Sequence, residues 1–320
     1  DSLDGSTAIP SPISALPLSA DQRKTLFDTT AVLTYTDETA YLNFLATTGG
    51  LLDFVRSDST NLTAFNKLYK QTLGVSGVKI TSAQRTALFG ITAKPVVDKN
   101  SPLLGAAPDL VFNLAFFKIY LLETYNLFKD INLAGNRTQR SGFNSLFNTA
   151  ITSSASYAPN EGSRKELSVL FALVSDTGYS RGAFVGLLVK ANSLFSAIGG
   201  SATNRTAFGA LYGVGLLNTA NVITDAQKDL IFSLAATSIT ATPTAQANYV
   251  KSVVNASNLM TALRLPANNT NGKNKLANFN ARFGVSLASA TVTPDIASRD
   301  ALFGVVNSTG YILANFLKTL

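Results

Sequence analysis

The chain contains no cysteine, no histidine and no tryptophan, and only one methionine. Lack of Cys removes disulfide staples, thiol nucleophiles and thiolate metal ligands. Lack of His removes the usual zinc, copper and haem ligand and any Ser/His/Asp triad. Charge is sparse too, at 14% of residues with a formal net charge of +7. Basic residues occur singly or in short pairs such as Arg23-Lys24 and Arg164-Lys165, so they read as scattered solubilising charge. No phosphate-tracking stripe forms, and no nucleic-acid partner is expected. The 19 acidic residues show no helix-spaced pair that stands apart from a solvated face, and a protein that is not an enzyme is expected. The most apolar stretch, Leu103 to Leu122, is interrupted by Pro108, Asp109, Asn113 and Lys118, which is costly at the centre of a bilayer. It reads as a buried helix, not a membrane span.

What is present is a repeat. Residues 61–92 and 204–235 align without a gap at an offset of 143 positions, with twelve of thirty-two pairs identical. The match extends back through Ala40-Tyr41 and Ala183-Phe184. A second echo, Leu26 to Tyr35, recurs at Leu170 to Tyr179 and at Leu302 to Tyr311, as though a third copy begins. A repeat of this length decides architecture, because similar segments must share one fold. With 320 residues, 46% of them hydrophobic, and with 20 Phe and 10 Tyr, the chain can bury a large core.

Helix signals follow the repeat. Ser19 to Gln22, Thr81 to Gln84 and Thr224 to Gln227 each set a hydroxyl three residues before Gln, the spacing of a capping box. Thr293-Pro294 predicts a fourth helix start with Pro in its first turn. Phe recurs four residues before a second aromatic at Phe65/Tyr69, Phe143/Phe147, Phe208/Tyr212 and Phe279/Phe283, which puts both rings on one helix face. Phe112 to Phe128 reads as a long aromatic helix between units. No strand alternation competes, so the fold class is all-α. About four subunits of roughly 60 to 80 residues nest as two halves, longer than common solenoid units. The expectation is an extended arm over residues 1–18, a first helical half over 19–158 and a second over 159–320, joined near Ser153 to Gly162. The halves are expected to face each other about a pseudo-twofold axis and enclose an apolar cavity.

The first residue is Asp1, with no initiator Met and no basic-then-apolar leader, which reads as a processed secreted chain. Six sequons, at Asn61, Asn136, Asn204, Asn255, Asn268 and Asn307, are candidate glycan sites. Oligomeric state is left open.

In the order and length of Val189 to Gly200, Asn204 to Tyr212 and Thr224 to Phe232, each half resembles the peridinin–chlorophyll proteins. That resemblance implies two helical halves closed over carotenoid and chlorophyll. The family's His before the glycine turn, a water-mediated magnesium ligand, is replaced here by Ala191-Asn192 and Thr48-Gly49, so chlorophyll is not expected. A polyene needs only an apolar slot with polar ends, and the combination resembles the blue carotenoproteins of marine sponges. What this implies is a non-enzymatic, secreted pigment protein holding an astaxanthin-type keto-carotenoid, with a lipid or sterol carrier, or an extracellular structural or adhesive repeat protein, as alternatives. A forty-carbon polyene buries on the order of 800 Å² of apolar surface, a gross gain of ~20 kcal/mol before ordering costs. Slot candidates are Tyr41, Phe44, Phe116, Tyr120, Phe184, Leu188, Phe195 and Tyr249, with Tyr69 and Tyr212 as end groups and Asn192 at the position of the missing His.

Overall fold

The computed structural model describes residues 38–92, 114–154, 157–159, 166–176, 178–215, 223–237, 242–269 and 274–320, without the side chains of residues 38–41. The expected arm, the Ser19 to Gln22 box and the Leu26 to Tyr35 segment lie outside these residues. The described residues form thirteen α-helices and one 3-10 turn, with no strand among them. The fold is all-α.

The helices run long, short, short. A long helix α1 (Glu38–Arg56) is followed by α2 (Ser59–Tyr69) and α3 (Ser82–Thr92). Next come α4 (Leu114–Asn132), α5 (Arg137–Phe147) and α6 (Glu166–Val174). Then follow α7 (Arg181–Gly199), α8 (Ala202–Tyr212) and α9 (Asp225–Ala235). The last set is α10 (Pro243–Arg264), α11 (Lys275–Phe283) and α12 (Ile296–Val306), with α13 (Leu313–Thr319) beyond it.

Local chemistry explains these boundaries. The predicted boxes form: Thr81 and Thr224 accept from the backbone N–H of Gln84 and Gln227, whose side chains accept the N–H of the capping residue in return. Each Gln also donates to a carbonyl twelve residues earlier, at Thr72 and Gly215, and so ties the preceding loop to the new helix. The expected start at Thr293-Pro294 is shifted. Asp295 is the cap, accepting from the Ser298 N–H at 2.7 Å, and α12 opens at Ile296. It is Thr242-Pro243 that opens a helix with Pro in the first turn. The aromatic helix begins at Leu114 and runs four residues past Phe128.

The second helix of every set ends alike. Lys70, Asn148, Gly213 and Gly284 all take left-handed backbone and return their N–H to the carbonyl four residues earlier. In three sets an Asn side chain then clamps the chain seven residues on. Asn66 holds both N–H and C=O of Leu73, Asn144 those of Ile151 and Asn280 those of Leu287, all at 2.9–3.0 Å. In the third set the equivalent residue, 143 positions after Asn66, is Gly209.

The extensive helix contacts run in chain order. α4 packs on α2, α5 and α6; α7 on α5, α8 and α9; α10 on α8, α11 and α12; and long helices touch the next long helix. Among the described residues the helices stack sequentially and one continuous core runs through neighbouring sets; the expected pair of lobes closing on a shared void is not seen among them. The physical reason is that α2, α5 and α8 each pack the aromatic-pair face against the following long helix, so that apolar face is already used. The described part of the expected linker is not a free connection: Tyr157 and Ala158 are buried, and Tyr157 stacks on Phe128 with centroids 6.2 Å apart.

Candidate functional site

The predicted site residues converge on a recurring junction. The aromatic pairs Phe65/Tyr69, Phe143/Phe147, Phe208/Tyr212 and Phe279/Phe283 lie with centroids 4.6–4.8 Å apart. Against the first three pairs, or their member helix, packs an aromatic of the next long helix, which in turn meets a Phe from the helix that closes that next set. Phe65 and Tyr69 meet Phe117, which stacks on Phe171. Phe147 meets Phe184 and Phe232, which are themselves stacked. The Tyr212 hydroxyl is 2.6 Å from that of Tyr249, which stacks on Phe303. Phe279 and Phe283 meet Phe316 of α13. Offset and edge-on rings at these distances are favourable beyond their area burial.

Tyr69 lies in the first of these junctions, Phe184 in the second, and Tyr212 and Tyr249 together in the third. Phe44 packs on Phe89, 5.2 Å between centroids, at the first set. Leu188 and Phe195 are core residues of α7. Asn192 borders a close approach of α5 and α7, where a Cβ on Gly142 would lie 3.0 Å from its own Cβ. Phe116 is surface-facing, at 39% exposure, and stacks with half-buried Tyr120. The Tyr41 side chain lies outside the described residues. Sequence reading did not place Phe171, Phe232 and Phe303 among the site candidates, although Phe recurs five residues after Gln84, Glu166, Gln227 and Ser298.

Burial sets the electrostatics. The Tyr69 hydroxyl is buried without a hydrogen-bond partner, and desolvation pushes its pKa far up. Tyr249 is raised mainly by burial and then by its neighbour Tyr212, while burial also raises Tyr212. The Arg299 guanidinium lies 4.5 Å from the Tyr212 ring centroid. At the entry to α7, burial and then the nearby Glu123 push Tyr179 up to about 12.

Two surface grooves of about 400 Å³ each run along α8 and α10. None of the expected slot residues lines either. Among the described residues no cluster of His, Cys, Asp and Glu could hold a metal ion. One described helix, α7, is long and apolar enough to cross a membrane. It packs against α5, α8, α9 and α10, and Arg181 at its start pairs with Asp130 at 3.2 Å and Glu123 at 3.6 Å.

The sequon asparagines divide by role. Asn61, Asn136, Asn204 and Asn268 donate their side-chain N–H to carbonyls near the end of the preceding long helix. Asn307 is exposed, and its side-chain oxygen accepts from Ser252 at 2.5 Å. Compared with protein-family models, with curated proteins and with solved structures, the chain matches none.

Proposed function

We propose that this protein is a non-enzymatic helical-repeat scaffold of the structural or adhesive kind, in which the aromatic residues serve the core and any binding takes place at the surface. The observation that carries this reading is the junction itself. Rings named for a pigment slot lie against other core rings, Tyr69 on Phe117, Phe184 on Phe232 and Tyr249 on Phe303. Stacks in which each unit contacts its neighbours present extended surfaces suited to recognition. Four sets related by internal duplication belong to this reading, supported by cap, clamp and ring contacts recurring at equivalent positions. Secretion belongs to it too, with Asn307 the sequon best placed for a glycan, since its side-chain N–H is not part of a helix-end bond.

One observation favours the keto-carotenoid reading as a second. At Tyr212 and Tyr249, paired hydroxyls and the Arg299 guanidinium supply the donors a conjugated ketone would need at its end. A single measurement separates the two. Protein purified from its native source is scanned in the visible and then extracted into organic solvent. A colourless protein with an extract free of polyene and lipid is expected. A visible band lost on extraction would establish the pigment reading, and a colourless lipid extract the carrier.

A further inference from the structure

The third set departs from the other three at one clamp position, and a groove lies beside it. Gly209 stands where Asn66, Asn144 and Asn280 clamp the following loop, so the side chain that fills this space elsewhere is missing. The groove beside it, about 400 Å³, lies between α8, α10 and residues 289–293. Its floor is apolar, from Ala210, Met260, Leu265 and Val292, and hydroxyls of Thr261, Ser289, Thr291 and Thr293 line it. Leu265 and Val292 are about half exposed, at 48% and 52%, an arrangement that leaves apolar surface open to a ligand.

Arg264 supplies the charge. Its Nε and Nη2 donate to the carbonyls of Ala288 and Val292 at 2.9 and 2.8 Å, which holds the guanidinium in place. A guanidinium carries five N–H donors, so this fixed cation keeps donors to spare. No carboxylate is among the residues that line the groove. Arg56 at the end of α1 makes the same pair of loop bonds, to Gly74 and Val78, and so controls for the structural part of the Arg264 role.

We propose that the groove at Gly209 and Arg264 binds a small organic monocarboxylate with an apolar body, its carboxylate on Arg264 and its chain over Met260 and Leu265. An apolar pocket with one placed charge is the usual form of such a site, and Arg prefers carboxylates through its paired donors. The proposal is independent of the scaffold reading, which pigment and lipid extraction test separately.

The test is calorimetric titration of the full chain with octanoate, with 1-octanol as the neutral counterpart. Saturable octanoate binding is expected, at least about tenfold tighter than for 1-octanol. Gly209→Asn installs the residue that three other sets already carry, and a Cβ there meets nothing closer than Gly215 at 3.5 Å, so the fold should tolerate it. It should weaken octanoate about tenfold or more by placing a polar side chain at the edge of the groove. Ala210→Leu, which narrows the floor, is the second variant if Gly209→Asn does not fold. Arg264→Gln should abolish the preference over 1-octanol, whereas Arg56→Gln, which loses the matching loop bonds, should leave binding unchanged. Absence of saturable octanoate binding, equal affinity for 1-octanol, or undiminished binding to a folded groove-filling variant would overturn the proposal.

Discussion

A buried hydroxyl without a partner costs about 1–3 kcal/mol, and Tyr69 carries one at a junction where the second and fourth sets place Phe147 and Phe283. Tyr69→Phe is therefore expected to stabilise the protein by about 1 kcal/mol in urea unfolding. The same substitution should soften alkaline unfolding. Because the folded pKa of Tyr69 is raised, its contribution is complete below the unfolded value of about 10 and is lost as pH climbs toward the folded value. Tyr179, raised to about 12, adds to the loss between roughly pH 10 and 12, so Tyr179→Phe should flatten that part of the stability–pH curve. The asparagine clamps act at the same scale. Asn144→Ala would strip both partners from the backbone of Ile151, which is 2% exposed, and should cost about 2 kcal/mol by the same urea measurement.

Helix ends carry the next level of organisation. The reciprocal box at Thr224 and Gln227 satisfies two backbone donors, and Thr224→Ala should destabilise by about 1 kcal/mol in thermal melts. Asp58 and Asp295 cap α2 and α12, and hydrogen bonds from Thr60 and Ser298 respectively hold their carboxyls below the ordinary value of 3.8. With folded pKa depressed, the caps contribute above that value and fail as pH falls through the lower folded one. Hydrogen exchange should show first-turn amides of both helices losing protection below about pH 3.8 before their neighbours do. Much at this scale was legible in advance, because a capping box and an i,i+4 aromatic pair are written within a few residues. The asparagine clamp was not. Its partner lies seven residues away across a left-handed turn, and no periodicity marks it until the turn is seen.

Across the described residues, stacked sets are joined through ring junctions within one continuous core. Phe117 is fully buried between Tyr69 and Phe171, so Phe117→Ala should cost about 3–5 kcal/mol through lost transfer energy and cavity formation. In a nearest-neighbour stack that loss stays local. Exchange protection should fall in α2, α4 and α6 and persist in α10 and α12; a uniform loss would indicate a single cooperative body. The same arrangement explains why the candidate slot residues are spread over several junctions. Tyr69, Phe184 and Tyr249 share a face type and a spacing, which made them look like one lining, but each occupies its own junction.

The sequence by itself determined the helical class, the caps that start α3 and α9, the paired rings on the second helices and the absence of His- and Cys-dependent chemistry. These follow from composition and from contacts spanning a few residues. Tertiary structure alone decided the order of stacking and the partner of each aromatic pair. It also decided that Gly209, rather than any of the rings, leaves a groove open. A repeat specifies what its copies look like, whereas their mutual placement depends on which apolar faces meet across tens of residues, and several placements bury the same pattern equally well until side chains interlock.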